Sequence, residues 1–118
     1  MVKSYKDLLV WQRSMELCVE VYRMTSTFPD SEKYGLTNQL RRATVSVASN
    51  IAEGYGRAST GEYIQFLGHS RGSIYEVNAQ LLIAQELNFG TAHIRENAIK
   101  TADEVGKMLV AMMKKLRE

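Results

Sequence analysis

The sequence predicts an all-α protein, an antiparallel up-down four-helix bundle forming a single domain over residues 1–118. Three observations carry this expectation. Apolar residues recur at alternating steps of three and four through most of the chain, the period of one helix face. The single proline, Pro29, together with Gly35, the glycines from Gly54 to Gly61 and Gly90, divides the chain into four helix-length stretches. Stripes of that spacing pack at shallow crossing angles of about 20°, and short connections make sequential neighbours antiparallel.

The first helix is expected to begin after Ser4, whose side chain with Asp7 matches a Ser-x-x-acid capping box. Leu8, Trp11, Met15, Cys18, Tyr22 and Thr25 form its expected core stripe, while Leu9, Leu17, Val21 and Met24 lie off it. Phe28-Pro29 ends the helix, because the residue before a proline is driven out of the helical region. Cys18 is the only cysteine and reads as a small buried hydrophobe with no disulfide partner.

The second helix, about Leu36 to Tyr55, carries a core stripe of Leu36, Leu40, Ala43, Val47 and Ile51. Val45, Ala48 and Ala52 make another apolar strip around the same helix. A surface helix needs only one stripe, so the second implies either a neighbouring subunit or a central position within the monomer. The off-stripe residues of helix 1 favour the subunit, and the expected oligomer interface is Val45, Ala48 and Ala52 with Leu17, Val21 and Met24. Arg41 leads this strip and is expected to anchor a helix contact by pairing with a carboxylate. Arg42 points about 100° away. It leads the polar strip Ser46, Ser49, Glu53 and is left for a partner.

The third helix opens at a second capping box, Ser59 with Glu62, and buries Tyr63, Leu67, Ser70, Ile74, Val77, Leu81 and Ala84. Gly90 is expected to close it. The fourth begins near Thr91, with Ile94, Ala98, Ala102, Val105, Leu109, Met112 and Leu116 on one side.

Composition narrows the function classes. Hydrophobic residues at 45% and charged residues at 24% are those of a globular domain rather than a disordered chain. No apolar run approaches the ~18 to 20 residues of a membrane span, and the N-terminus lacks a signal-peptide pattern, so a cytoplasmic protein is expected. A net charge of +2 permits nucleic-acid binding, and assembly multiplies it.

Catalytic and metal chemistry find little support. His69 and His93 have no histidine at i+3 or i+4, and neither follows a glutamate by three, so no metal centre or cofactor is expected. The serines lack paired histidines and the carboxylates do not cluster along the chain, so neither an enzyme nor a small-molecule substrate is expected. Gly54-Tyr55-Gly56-Arg57 lacks the strand and the Gly-Lys-Ser/Thr ending of a phosphate loop and reads as a turn. Arg57 there could still help hold an anion at the start of helix 3. Lys100 and Lys107 stand at salt-bridge spacing from Glu96, Asp103 and Glu104, a salt-laced face, which leaves Lys114, Lys115 and Arg117 as a basic patch.

Linked motifs then point to a family. Leu9-Val10-Trp11, Phe28-Pro29-x-x-Glu32-x-Tyr34-Gly35-Leu36, Gln39-Leu40-Arg41-Arg42-Ala43 and Asn50-Ile51-Ala52-Glu53-Gly54 are followed by Gly56-Arg57, Glu62-Tyr63-x-x-Phe66-Leu67 and Arg71-Gly72-Ser73-x-x-Glu76. Over all but the last helix, this set resembles the four-helix-bundle proteins encoded in intervening sequences of bacterial 23S rRNA genes. The resemblance implies a ring-shaped homopentamer. It also implies kinship with the accessory variability determinant of diversity-generating retroelements, a more basic pentameric barrel that binds nucleic acid and its reverse transcriptase. The expectation is therefore a non-catalytic homo-oligomeric binding module that meets RNA or a nucleoprotein partner through Arg42, Arg57, Arg71, Lys114, Lys115 and Arg117. A purely protein-binding or scaffolding oligomer is the alternative.

Overall fold

The Ser4 capping box forms, but in the computed structural model, which describes residues 1–118, it closes a single 3-10 turn, Tyr5–Asp7. Asp7 Oδ2 accepts from the backbone N–H groups of Lys3 at 2.8 Å and Ser4 at 3.2 Å. Leu8 is extended, and α1 (Leu9–Thr25) starts after it. Then come α2 (Leu36–Tyr55), α3 (Thr60–Glu86) and α4 (Ala92–Arg117), with no strand. The helices in contact are α1 with α2, α2 with α3, α3 with α4 and α4 with α1. They therefore stand at the corners of a square, in a body of 44 × 24 × 21 Å. The all-α class and the count of four helices are the expected ones.

The inward face of α2 is the predicted stripe, with Leu36, Leu40, Ala43, Val47 and Ile51 all buried. On α3 the stripe holds from Leu67 to Ala84, and Tyr63 is half-buried. On α4 the centre of the stripe is buried, with Met113 joining it and Ile94, Met112 and Leu116 half-buried.

Helix α1 corrects the sequence reading. Its inward residues are Val10, Ser14, Leu17, Val21 and Met24, whereas Leu8, Trp11 and Cys18 are half-buried and Met15 and Tyr22 exposed. Thr25 alone of the predicted stripe is buried. Two stripes of equal period run side by side on this helix, so periodicity could not rank them. Ser14 disguised the true one. Its hydroxyl donates to Trp11 O at 2.7 Å, which satisfies the polar group inside the core.

Two glycines are set by tertiary packing. Gly54, read as a turn glycine, lies buried in the last turn of α2. A Cβ there would fall 2.8 Å from Phe66 Cβ and 3.1 Å from Tyr63 Cδ1, so its absence lets α2 and α3 cross closely. At the end of α3, Asn88 rather than Gly90 takes the left-handed capping position, with φ 55°. The N–H groups of Phe89 and Asn88 donate back to Ala84 O and Gln85 O at 2.9 and 3.1 Å, a Schellman closure. Gly90, at φ 77°, presses against Met24 and Phe28. The buried Arg95 fastens this corner by donating to Phe89 O at 2.8 Å and Gly90 O at 3.3 Å.

Candidate functional site

Each helix gives its inward face to the core, so function falls to what the square leaves on its outside and ends. No group of three or more histidine, cysteine or carboxylate side chains is placed to hold a metal ion. Three surfaces stand out.

The first is the groove between α1 and α2, about 340 Å³, lined by Tyr5, Trp11, Met15, Cys18, Val45, Ala48, Ser49 and Ala52. It exists because α1 turns its second apolar stripe toward the second apolar strip of α2. Tyr5 seats edge-on against Trp11, with ring centroids 5.1 Å apart. Cys18 is half-buried here rather than enclosed, and burial pushes its thiol up, so it stays protonated. Val45 is 42% exposed, Ala52 is half-buried and Ala48 is 8% exposed, so only the flank at Val45 is fully open to a neighbour. Leu17, Val21 and Met24, expected at a subunit boundary, are 0% exposed inside the chain's own core and cannot reach another copy. Arg41 is also committed within the chain, without the expected carboxylate. Its Nε donates to Thr25 Oγ1 at 2.9 Å, Nη2 donates to Tyr22 O at 3.4 Å, and the guanidinium lies over the Tyr22 ring.

The second surface is the end of the bundle where α1 and α3 start and α2 and α4 finish. It gathers Arg57, Lys114, Lys115 and Arg117, joined by Lys3 and Lys6, which the sequence reading passed over. None of these cations forms an ion pair, since the only pairs join Arg13 to Glu16 and to Glu104. They outnumber Asp7, Glu53, Glu62 and Glu118 at the same end. Arg57 lies 4.4 Å over the Phe66 ring, and His69 meets that ring edge-on. Ser59 Oγ caps α3 by accepting from Glu62 N at 3.2 Å. Arg71 is half-buried about 16 Å further along α3. Arg42 is exposed in the opposite half of the molecule. The six candidate cations thus divide, with four at one end and two away from it.

The third surface, between α1 and α4, was not anticipated. A groove of about 480 Å³ is lined by Arg13, Met15, Glu16, Val19, Glu20, Arg23 and Thr101. Arg13 bridges Glu16 and Glu104 across the two helices. Glu104 therefore pairs with α1, and no lysine of α4 forms the salt-laced face expected there. Glu20 has no such partner. Its Oε1 is enclosed without a hydrogen bond, and burial drives its carboxyl above the usual range. Glu16 and Glu20, one turn apart among apolar residues, were the available signal. Separately, α3 leaves Tyr75, Leu82, Ile83 and Leu87 about half exposed on its outer side.

The model of the 23S rRNA-intervening sequence protein family matches residues 6–111. Among curated proteins none matches. A crystal structure of a protein of unknown function from the S23 ribosomal protein family of Bacteroides thetaiotaomicron VPI-5482 has a TM-score of 0.80 to this fold. It is 20% identical, and the alignment covers 90% of this chain and 99% of that one. The likeness is one of fold.

Proposed function

We propose that this chain, which belongs to the 23S rRNA-intervening sequence protein family, works as a non-catalytic homo-oligomeric module that presents its cationic end to RNA or a nucleoprotein. The observation that carries the reading is the unpaired cluster Lys3, Lys6, Arg57, Lys114, Lys115 and Arg117 at one end of the bundle. Lysines and arginines without internal carboxylate partners are free to displace counterions from phosphates. A ring in which like ends align would bring several such clusters onto one face, and about five copies would sum to about +10. The family's kinship with the retroelement accessory protein supports both the ring and the polyanion.

Assembly is assigned to the open flank of the α1–α2 groove at Val45. Val45→Glu is the suitable probe, because Ala48 is nearly enclosed and a large residue there would strain the monomer as well. Light scattering is expected to show an assembled wild type and a dissociated, still helical Val45→Glu variant. Mobility shift with structured RNA, single strands and duplex DNA at two salt concentrations tests the ligand. Binding is expected at low salt, falling steeply as salt rises and weakened by replacing Lys114, Lys115 and Arg117 with glutamine. No binding to any probe at low salt overturns the nucleic-acid reading.

The exposed side of α3, with Tyr75, Leu82, Ile83 and Leu87, favours a second reading, a scaffold for a protein partner. Dissociation by Leu82→Glu but not by Val45→Glu would move the subunit contact to α3.

A further inference from the structure

We infer that the cationic end binds single-stranded nucleic acid, with an unpaired base stacked on the outer side of the Arg57 guanidinium. This rests on the nucleic-acid reading above and names the form of polyanion that the end selects.

Two independent features of this end converge. One is its charge. Lys3, Lys6, Lys114, Lys115 and Arg117 are exposed and make no ion pair. Of the acids beside them, Asp7 is engaged by the backbone N–H groups of Lys3 and Ser4, and Glu62 accepts from Ser59 Oγ at 3.2 Å in the cap of α3. The other feature is a stack of a guanidinium on an aromatic ring. Arg57 is exposed in the connection between α2 and α3, makes no ion pair, and holds its Cζ 4.4 Å over the Phe66 ring. His69, also exposed, meets that ring edge-on at 5.7 Å. Phe66 is firmly seated, because its Cβ comes against the backbone of α2 where Gly54 lacks a side chain. The guanidinium is therefore supported on one side by the ring and open to water on the other.

That arrangement suits a base better than a phosphate. A phosphate needs only charge, which a lysine supplies, whereas a flat cation held on a ring offers a plane on which any base can stack. Bases within a duplex have both faces covered by their neighbours, so the plane is reached by an unpaired base. Phe66 stands about 9 Å along α3 from its first residue, Thr60, so the stack borders the cationic end. A strand with one base on Arg57 can thus lay its phosphates across the lysines.

Fluorescence anisotropy on the full chain at low salt tests this with three labelled probes: a short RNA strand, the same strand annealed to its complement, and a strand of equal length carrying abasic sites. Phosphate contacts alone favour the duplex, whose charge density is higher, so tighter binding of the strand marks the base. The intact strand is expected to bind roughly tenfold tighter than either other probe. Arg57→Lys keeps the charge and removes the plane. It should weaken the intact strand roughly tenfold while leaving the duplex, the abasic strand and the salt dependence unchanged. Circular dichroism checks that the variant keeps its helices, and should it not, the wild-type comparison of intact with abasic strand decides. An abasic strand or a duplex bound as tightly as the intact strand overturns the stacking and leaves a phosphate site. An Arg57→Lys chain that loses affinity for all three probes alike, or for none, does the same. Absence of binding to any probe overturns the nucleic-acid reading and the stacking together.

Discussion

The two flanks of α1 carry opposite chemistry. Toward α2 the flank is apolar and crowned by arginines, with Trp11, Met15 and Cys18 facing Val45, Ala48 and Ala52. Toward α4 it is charged and acidic by one, with Glu16, Glu20 and Glu104 set against Arg13, which bridges two of them, and Arg23. Between them runs the stripe that the core buries, Val10, Ser14, Leu17, Val21 and Met24. A helix that only completed a monomer would show solvent-facing charge beyond that stripe on both sides. Instead α1 keeps apolar surface beyond what the monomer encloses, and the difference between its flanks gives that surface a direction.

Leu17→Ala should cost about 2–5 kcal/mol of stability, the range for a large-to-small change in a closed core. Thermal or urea unfolding checks this. A loss under about 1 kcal/mol would return Leu17 to a subunit boundary, where the sequence alone places it. Next in size is Gly54→Ala. The added methyl meets Phe66 Cβ and Tyr63 Cδ1, and the strain is expected to cost about 1–3 kcal/mol. Oligomeric state should be unaffected under folding conditions.

Tyr63→Phe acts in the other direction. The Tyr63 hydroxyl is enclosed with no hydrogen-bond partner, and its removal should raise stability by about 1 kcal/mol. Burial, reinforced by Tyr55, pushes the phenol up to about 12. Folding therefore favours its protonated form, and the associated stability is lost as pH rises from the ordinary value of 10 through about 12. The wild type should lose more stability than Tyr63→Phe across that interval.

Glu20 gives the smallest effect and the sharpest view of the acidic flank. Burial holds its carboxyl above the ordinary value of 4.5 despite the Thr101 hydroxyl and Arg13 nearby, with Glu16 on α1 and Glu104 on α4 adding to the rise. Its contribution to monomer stability is complete below the unfolded value and lost as pH rises through the folded one. Glu20→Gln should thus be the more stable monomer at neutral pH, with the advantage shrinking on acidification. Dilute-chain melting at pH 7 and pH 5 measures it.

The fold was legible because α2, α3 and α4 bury most of the stripe that their spacing predicts. Their order and short connections then leave few ways to close a bundle. The register of α1 was not legible, because Leu17-Val21-Met24 and Trp11-Met15-Cys18 have the same spacing and a self-satisfied Ser14 interrupts the true stripe. At the candidate surfaces, Lys114, Lys115 and Arg117 could be read from local sequence. Their company with Arg57, Lys3 and Lys6 depends on which helix ends meet. The acidic groove depends on α1 and α4, the first and last helices, lying side by side. Arg95 and Gly54 gain their roles from contacts that no local pattern announces.

Light scattering on the wild type and on Val45→Glu at micromolar concentration asks whether the outer flank of α2 joins copies of this chain. For that contact the expected result is a wild type of several chain masses, about five for the expected ring, and a folded monomer for the variant. A monomeric wild type, or a variant that keeps the wild-type mass, would contradict it.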